Sequence, residues 1–195
     1  MGAMTDVAAY LVNTIASLYL ILVILRFLLQ LARADFYNPI SQFVVKATDP
    51  LVKPLRRMIP GFGGLDMATV VLALALQFLV INLLYLILAH SLPNPLLAIV
   101  WAAIGITATV VKIYFFAILA SIIFSWVAPG SQHPALILLH QLNEPVMAPV
   151  RKLLPPMGGL DLSPILVFIM INVINILLHH AAVSSGLPRN LLLFI

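Results

Sequence analysis

Residues 49–66 read DPLVKPLRRMIPGFGGLD, and residues 144–161 read EPVMAPVRKLLPPMGGLD. The two stretches lie 95 positions apart and align without a gap. Pro50, Pro54, Arg56 and Pro60 recur as Pro145, Pro149, Arg151 and Pro155. Gly63, Gly64, Leu65 and Asp66 recur as Gly158, Gly159, Leu160 and Asp161. The same offset pairs Tyr19 with Tyr114 and Pro39 with Pro134. A sequence that repeats at fixed spacing is one structural unit built twice.

The apolar runs on either side of each copy say what the unit is. The chain has 195 residues, 63% of them hydrophobic and 8% charged. A soluble domain carries about 25% charged residues, so this chain cannot coat a globular surface and is read as a membrane protein. It has no cysteine, which removes disulfide and thiolate chemistry. The net charge of +4 is small, and its placement points to lipid headgroups rather than nucleic acid.

Residues 7–25 form the first apolar run, long enough for the roughly 20 residues a bilayer needs. A helix from about Asp6, as N-cap, to about Ala32 is expected. No positive region precedes it, which argues against a cleaved signal peptide. Residues 67–89, a third helix starting near residue 102, and residues 162–180 supply three more spans. In this reading residues 92–101 lie along the outer surface with Trp101 as an interface anchor. The first unit runs 5–90 and the second 96–183, with 184–195 as a tail.

Residues 34–65 and 129–160 are too polar to span. In the first, Ile40, Val44, Ala47, Leu51 and Leu55 recur at helical spacing, opposite Gln42, Lys46, Asp49, Lys53 and Arg57. That is an amphipathic helix lying in the interface. Asp49 before Pro50, and Glu144 before Pro145, read as N-caps, so two short helices with a break are expected. Gly63-Gly64 and Gly158-Gly159 supply tight turns, and Asp66 and Asp161 are expected to cap the following helices.

Lys46, Lys53, Arg56, Arg57, Arg151 and Lys152 all fall in the two long loops. The positive-inside rule then places both loops in the cytoplasm and both termini outside. Each unit holds two spans, so the halves are parallel rather than inverted. The fold expected is all-α, four transmembrane helices as two parallel two-helix repeats, each with an amphipathic interfacial loop.

Two spans joined by a DPxxxPxRRxxPxxGGLD-type loop resemble the YggT family, which takes in YggT, YlmG and Ycf19-like proteins. The resemblance covers nearly the whole chain as two tandem units. The second copy departs at Glu144, Ala148 and Pro156, where the first has Asp49, Lys53 and Gly61. The resemblance implies osmotic-stress tolerance and potassium homeostasis in some bacteria. In others, and in plastids, it implies roles in division, nucleoid distribution or membrane-complex assembly. It implies no enzymatic activity.

The residues themselves offer few chemical constellations. No nucleophile–base set, phosphate loop or zinc-protease signature is present, and no cofactor is expected. His90, His179 and His180 lack acidic or thiol companions, so no metal is expected. Arg26 either snorkels to the headgroups or pairs with Asp66 or Asp161 at the same interface. Asp66 and Asp161 either cap their helices or meet as a carboxylate pair. Gln77, Asn172 and Asn175 are polar interruptions inside spans.

Lys112, about 15 Å into a helix starting near 102, is expected to face Asn172, Asn175 and His179. Gly105, Ser121, Ser125 and Asn172 are expected to hold the helices together. Two functions fit. One is a non-catalytic scaffold whose basic loops dock anionic lipid or a protein partner. The other is an ion-conducting, potassium-transporting homo-oligomer, though the spans lack the carboxylates a cation path uses.

Overall fold

The computed structural model describes residues 2–153 and 161–188, which form six helices and no strand. They are α1 (Ala3–Leu31), α2 (Pro39–Met58), α3 (Met67–Ala89), α4 (Pro95–Val127), α5 (Pro134–Leu153) and α6 (Ser163–Ser184). Helices α1, α3, α4 and α6 are long and apolar enough to cross a membrane. Helices α2 and α5 are amphipathic, and each ends on two basic residues, Arg56-Arg57 and Arg151-Lys152. The chain is thus two copies of a span, an amphipathic helix and a span. Within each copy the two spans pack together, and α3 meets α4 between copies.

Three layers of apolar side chains hold the bundle. At the end away from the basic loops, Ala9, Leu84, Leu88, Trp101 and Ala182 join all four spans. Toward the basic loops, Leu20, Val23 and Ile24 of α1 meet Leu72 and Ala73 of α3, Ala117 of α4, and Leu138 and Leu142 of α5. A third group, Val111 and Ile118 with Val150, Val167 and Ile171, belongs to the second copy alone.

Several sequence expectations need correction. Helix α4 starts at Pro95 rather than near 102. The Asn94 side chain accepts from the Leu96 N–H at 2.9 Å, so an N-cap followed by proline at the first helical position starts the helix there. Residues 95–101 therefore continue a 33-residue helix. Trp101 is no surface anchor: it is 2% exposed. It stacks on Tyr85 and donates from Nε1 to Ser185 Oγ at 2.9 Å. Helix α1 starts at Ala3, so Asp6 lies in its first turn and does not cap it.

The amphipathic segments are not broken at their prolines. Helix α2 runs through Pro50 and Pro54, and α5 through Pro145 and Pro149. Asp49 and Glu144 are therefore interior residues and not caps. The cap of α2 is Asn38, whose Oδ1 accepts from Ile40 N at 3.0 Å, with Pro39 next. At the matching place in the second copy His133 Nδ1 accepts from Ala135 N at 3.2 Å. Proline costs a helix the hydrogen bond to the carbonyl four residues back. Pro50 and Pro54 are four apart and both exposed, so they and the carbonyls they free share the wet side of the helix.

Gln77 and Gly105 show how closely the two copies pack. Gln77 is buried in α3, and a β-carbon on Gly105 of α4 would lie 2.5 Å from Gln77 Nε2. Gly105 thus does hold α3 against α4, as its small size led us to expect. Gly105→Leu is expected to destabilise the bundle by about 1–3 kcal/mol through overpacking. Adding Gln77→Ala should recover much of that loss, because it empties the space the leucine needs. Denaturation by SDS in bicelles measures both.

Candidate functional site at the basic end of the bundle

The first loop is closed by a turn and an ion pair. Leu65 N donates to Phe62 O at 2.9 Å and Phe62 N to Leu65 O at 3.1 Å. Gly63 and Gly64 between them take φ of +60° and +81°. Two successive positive φ values make this a turn that glycine fills at little cost. The turn delivers Asp66 to the head of α3, as expected. Its carboxylate, however, does not cap backbone N–H groups. Oδ2 instead accepts from Arg56 and from the Thr69 hydroxyl. Burial raises the Asp66 pKa, but the bonds from Arg56 and Thr69 outweigh it and hold the carboxyl below its usual range.

The second copy repeats the pair more loosely. Arg151 lies 3.4 Å from Asp161 and 2.9 Å from Glu144. Asp161 lies one residue before Leu162, the N-cap of α6, and its Oδ1 accepts from Ser163 N at 2.9 Å. Asp66 and Asp161 are each held by the arginine of their own copy rather than by one another. Gly158 and Gly159 lie outside the described residues.

Arg26 pairs with neither Asp66 nor Asp161, and it does not snorkel. It is 6% exposed. Its Nη1 donates to Asp49 Oδ1 at 2.9 Å, Thr48 Oγ1 at 2.8 Å and Val45 O at 3.2 Å. Asp49 also takes Lys53 Nζ on Oδ2 at 2.8 Å. The Lys53 bond lowers the Asp49 pKa most, burial works against it, and Arg26 lowers it further. Asp49, expected as a cap, is the hub that fastens α2 to α1.

The second copy builds this junction without charge. Ser121 and Asn143 stand where the first copy has Arg26 and Thr48. Asn143 Nδ2 donates to Ser121 Oγ at 2.7 Å and to Ala117 O at 3.1 Å. Ser121 thus joins α4 to α5 as a helix-holding residue. Ser125 and Asn172 do not hold helices together. They donate to Ile122 O and Phe168 O of their own helices. Thr48 and Asn143 went unnoticed in the sequence, although the 95-residue offset shows them changing together with Arg26 and Ser121.

Lys46 and Arg57 are exposed on α2, and Lys152 is exposed on α5. They make no ion pair among the described residues. Asp35 N donates to Gln141 Oε1 at 2.9 Å, and Asn38 Nδ2 to Pro134 O at 2.8 Å, so the two amphipathic helices meet at this end.

Lys112 does not contact the expected stripe. It is exposed on α4, one residue from Val111, which packs beside Ile171 of α6. Among the described residues it has no hydrogen bond, and Asn172 spends its amide on its own helix. With α4 starting at Pro95, Lys112 lies about 25 Å along the helix and faces outward. A lysine near the bilayer centre costs about 2.5–3.5 kcal/mol. Lys112→Met is therefore expected to match or exceed the wild-type stability in bicelles. A loss would mean that something covers the ammonium in the native assembly. His179 and His180 stack edge to face, and no group of three metal-ligating side chains occurs among the described residues.

Four apolar spans in two tandem units, each with a basic amphipathic helix, define a multi-pass α-helical membrane protein. A family model described as CCB3/YggT matches residues 5–87 and again residues 100–182, and the chain belongs to that family. It is 46% identical to an uncharacterised protein of Pseudomonas aeruginosa over 100% of both chains. It is 37% identical to the uncharacterised protein YggT of Escherichia coli, covering 91% of this chain and 92% of that one. An uncharacterised Vibrio alginolyticus protein is 42% identical over 87% of this chain and 92% of its own. No solved structure matches. These matches indicate no catalytic family.

Proposed function

We propose that this protein is a non-catalytic scaffold or assembly factor of the bacterial inner membrane. Its two basic amphipathic helices lie on the cytoplasmic leaflet, docking anionic headgroups and a protein partner of a membrane complex. Both termini are then outside. The observation that carries this reading is the pinning of α2 and α5 by arginine–aspartate pairs at the same place in each copy. Such pinning presents Lys46, Arg57 and Lys152 as a fixed, exposed basic surface. A juxtamembrane basic residue near an anionic leaflet contributes about 1 kcal/mol. A role in osmotic-stress tolerance or division follows if the docked partner belongs to either machinery.

The chain has no cysteine, so single cysteines replacing Lys53 or Arg151 report sidedness cleanly. Labelling only from the cytoplasm is expected, and labelling from outside intact cells overturns the reading. Photo-crosslinkers at Lys46 and Lys152 should trap one defined membrane partner. Purified protein in liposomes should pass no potassium. A potassium flux lost on neutralising Asp66 and Asp161 would instead establish an ion-conducting oligomer.

A further inference from the structure

The two copies carry the same cavity with opposite chemistry. In the first, a cavity of about 710 Å³ opens between the end of α1 and α2. Arg26, Arg33, Lys53 and Arg56 reach its wall, facing one carboxylate, Asp49. In the second, the matching cavity of about 520 Å³ lies between the end of α4 and α5. Ser121, Ala128 and Leu136 line it where the first has Arg26, Arg33 and Ser41. Among the described residues no lysine or arginine lines it.

We propose that the first cavity binds the phosphate-bearing headgroup of an anionic phospholipid and that the second does not. This rests on the reading above that the basic end meets the lipid headgroups. Two side chains of the cavity point to a bound anion. Ser41 lines it 5% exposed, and its buried hydroxyl finds no partner within the described residues. A buried hydroxyl without a partner is costly unless a ligand or water completes it. Among the described residues Arg26 makes all its hydrogen bonds through Nη1, and its Nε and Nη2 find no acceptor there.

Arg33 stands at the rim, where its φ of +51° closes the end of α1 through Arg33 N to Gln30 O and Ala34 N to Leu29 O. The charge count is also unbalanced. Four cations line the cavity, and Asp49, with Asp66 behind Arg56, returns two negative charges. The surplus of two suits a headgroup with two phosphodiesters. Apart from Gln30 the remaining wall is apolar, with Leu29, Val44 and Phe36, which suits a glycerol ester rather than free phosphate. A guanidinium, an ammonium and a hydroxyl together are the usual donors to phosphate oxygens.

Delipidated protein in neutral detergent, titrated with cardiolipin, phosphatidylglycerol, phosphatidylcholine or inorganic phosphate, tests this by native mass spectrometry. Cardiolipin should bind tightest, phosphatidylglycerol next, and phosphatidylcholine and inorganic phosphate weakly. Arg33→Ala with Lys53→Ala should weaken cardiolipin on the order of 20-fold, at about fivefold per basic side chain. Gain of function guards against misfolding: Ala128→Arg, Leu136→Ser and Ala148→Lys should together create a second binding event.

Unchanged cardiolipin affinity in the double variant overturns the proposal. So does inorganic phosphate matching the lipid, which would make this a free-anion site. Sidedness does not enter a detergent titration. Outside labelling would therefore sink the scaffold reading while leaving this result intact.

Discussion

Asp49→Ala is expected to destabilise the protein by about 3–5 kcal/mol, because it strands a buried guanidinium without its counter-charge. Arg26→Met should cost clearly less, although it breaks the same ion pair. The asymmetry comes from where each charge sits. Arg26 is 6% exposed, while the Asp49 side chain is 20% exposed and keeps Lys53 at 2.8 Å when Arg26 goes. The double variant should therefore resemble Arg26→Met alone, with no added penalty for losing Asp49.

The second copy supplies the natural alternative. There a serine and an asparagine make the junction. Arg26→Ser with Thr48→Asn, on the Asp49→Ala background, should thus recover stability by importing that neutral pair. Thermal or SDS unfolding of the five proteins in bicelles decides the matter. Equal losses for Asp49→Ala and Arg26→Met would show that the Arg26 charge is solvated in the folded protein.

The contrast between these copies also shows what could be read from the chain in advance. The repeat, the four spans and the glycine turn at Gly63-Gly64 were legible, because apolar length and left-handed backbone leave marks on the sequence itself. The start of α4 was misplaced because the apolar run from residue 96 exceeds one bilayer crossing. Asn94-Pro95 nevertheless carries the same start signal as Asn38-Pro39. Pro50 and Pro54 read as a break because proline removes a donor. Only the fold shows that both lie on the exposed side of the helix.

The partner of Arg26 was not legible from local spacing. Asp49 lies 23 residues away on another helix, and its acidity also suited a cap. The one available signal was internal: Arg26 with Thr48 in one copy, and Ser121 with Asn143 in the other. Lys112 misled for the opposite reason. Depth could be approximated from helix length, but the direction it faces follows from how α4 packs on α6, which no single periodicity encodes.

Asp66→Asn is expected to cost about 1.5–3 kcal/mol, the usual value of hydrogen bonds to a charged group. Asp161→Asn should cost under about 1 kcal/mol, as exposed pairs do. The two aspartates end the same GGLD sequence, yet their surroundings differ. The Asp66 side chain is 5% exposed and takes both Arg56 and Thr69. The Asp161 side chain is 47% exposed and shares Arg151 with Glu144.

The two share the sign of their pH dependence, since the bond from Ser163 first and Arg151 after it lower the Asp161 pKa as well. The Asp66 pKa is lowered in the folded protein. Its contribution is therefore complete above the ordinary carboxylate value of about 3.9 and disappears as pH falls toward the folded value. Wild-type protein should lose stability steeply over that acid range. Asp66→Asn should flatten the loss and leave the slope that Asp49 and Asp161 supply through their own lowered pKa values. An acid limb of the same steepness in Asp66→Asn would assign the proton uptake elsewhere, and Arg56 would then be holding the loop by packing alone.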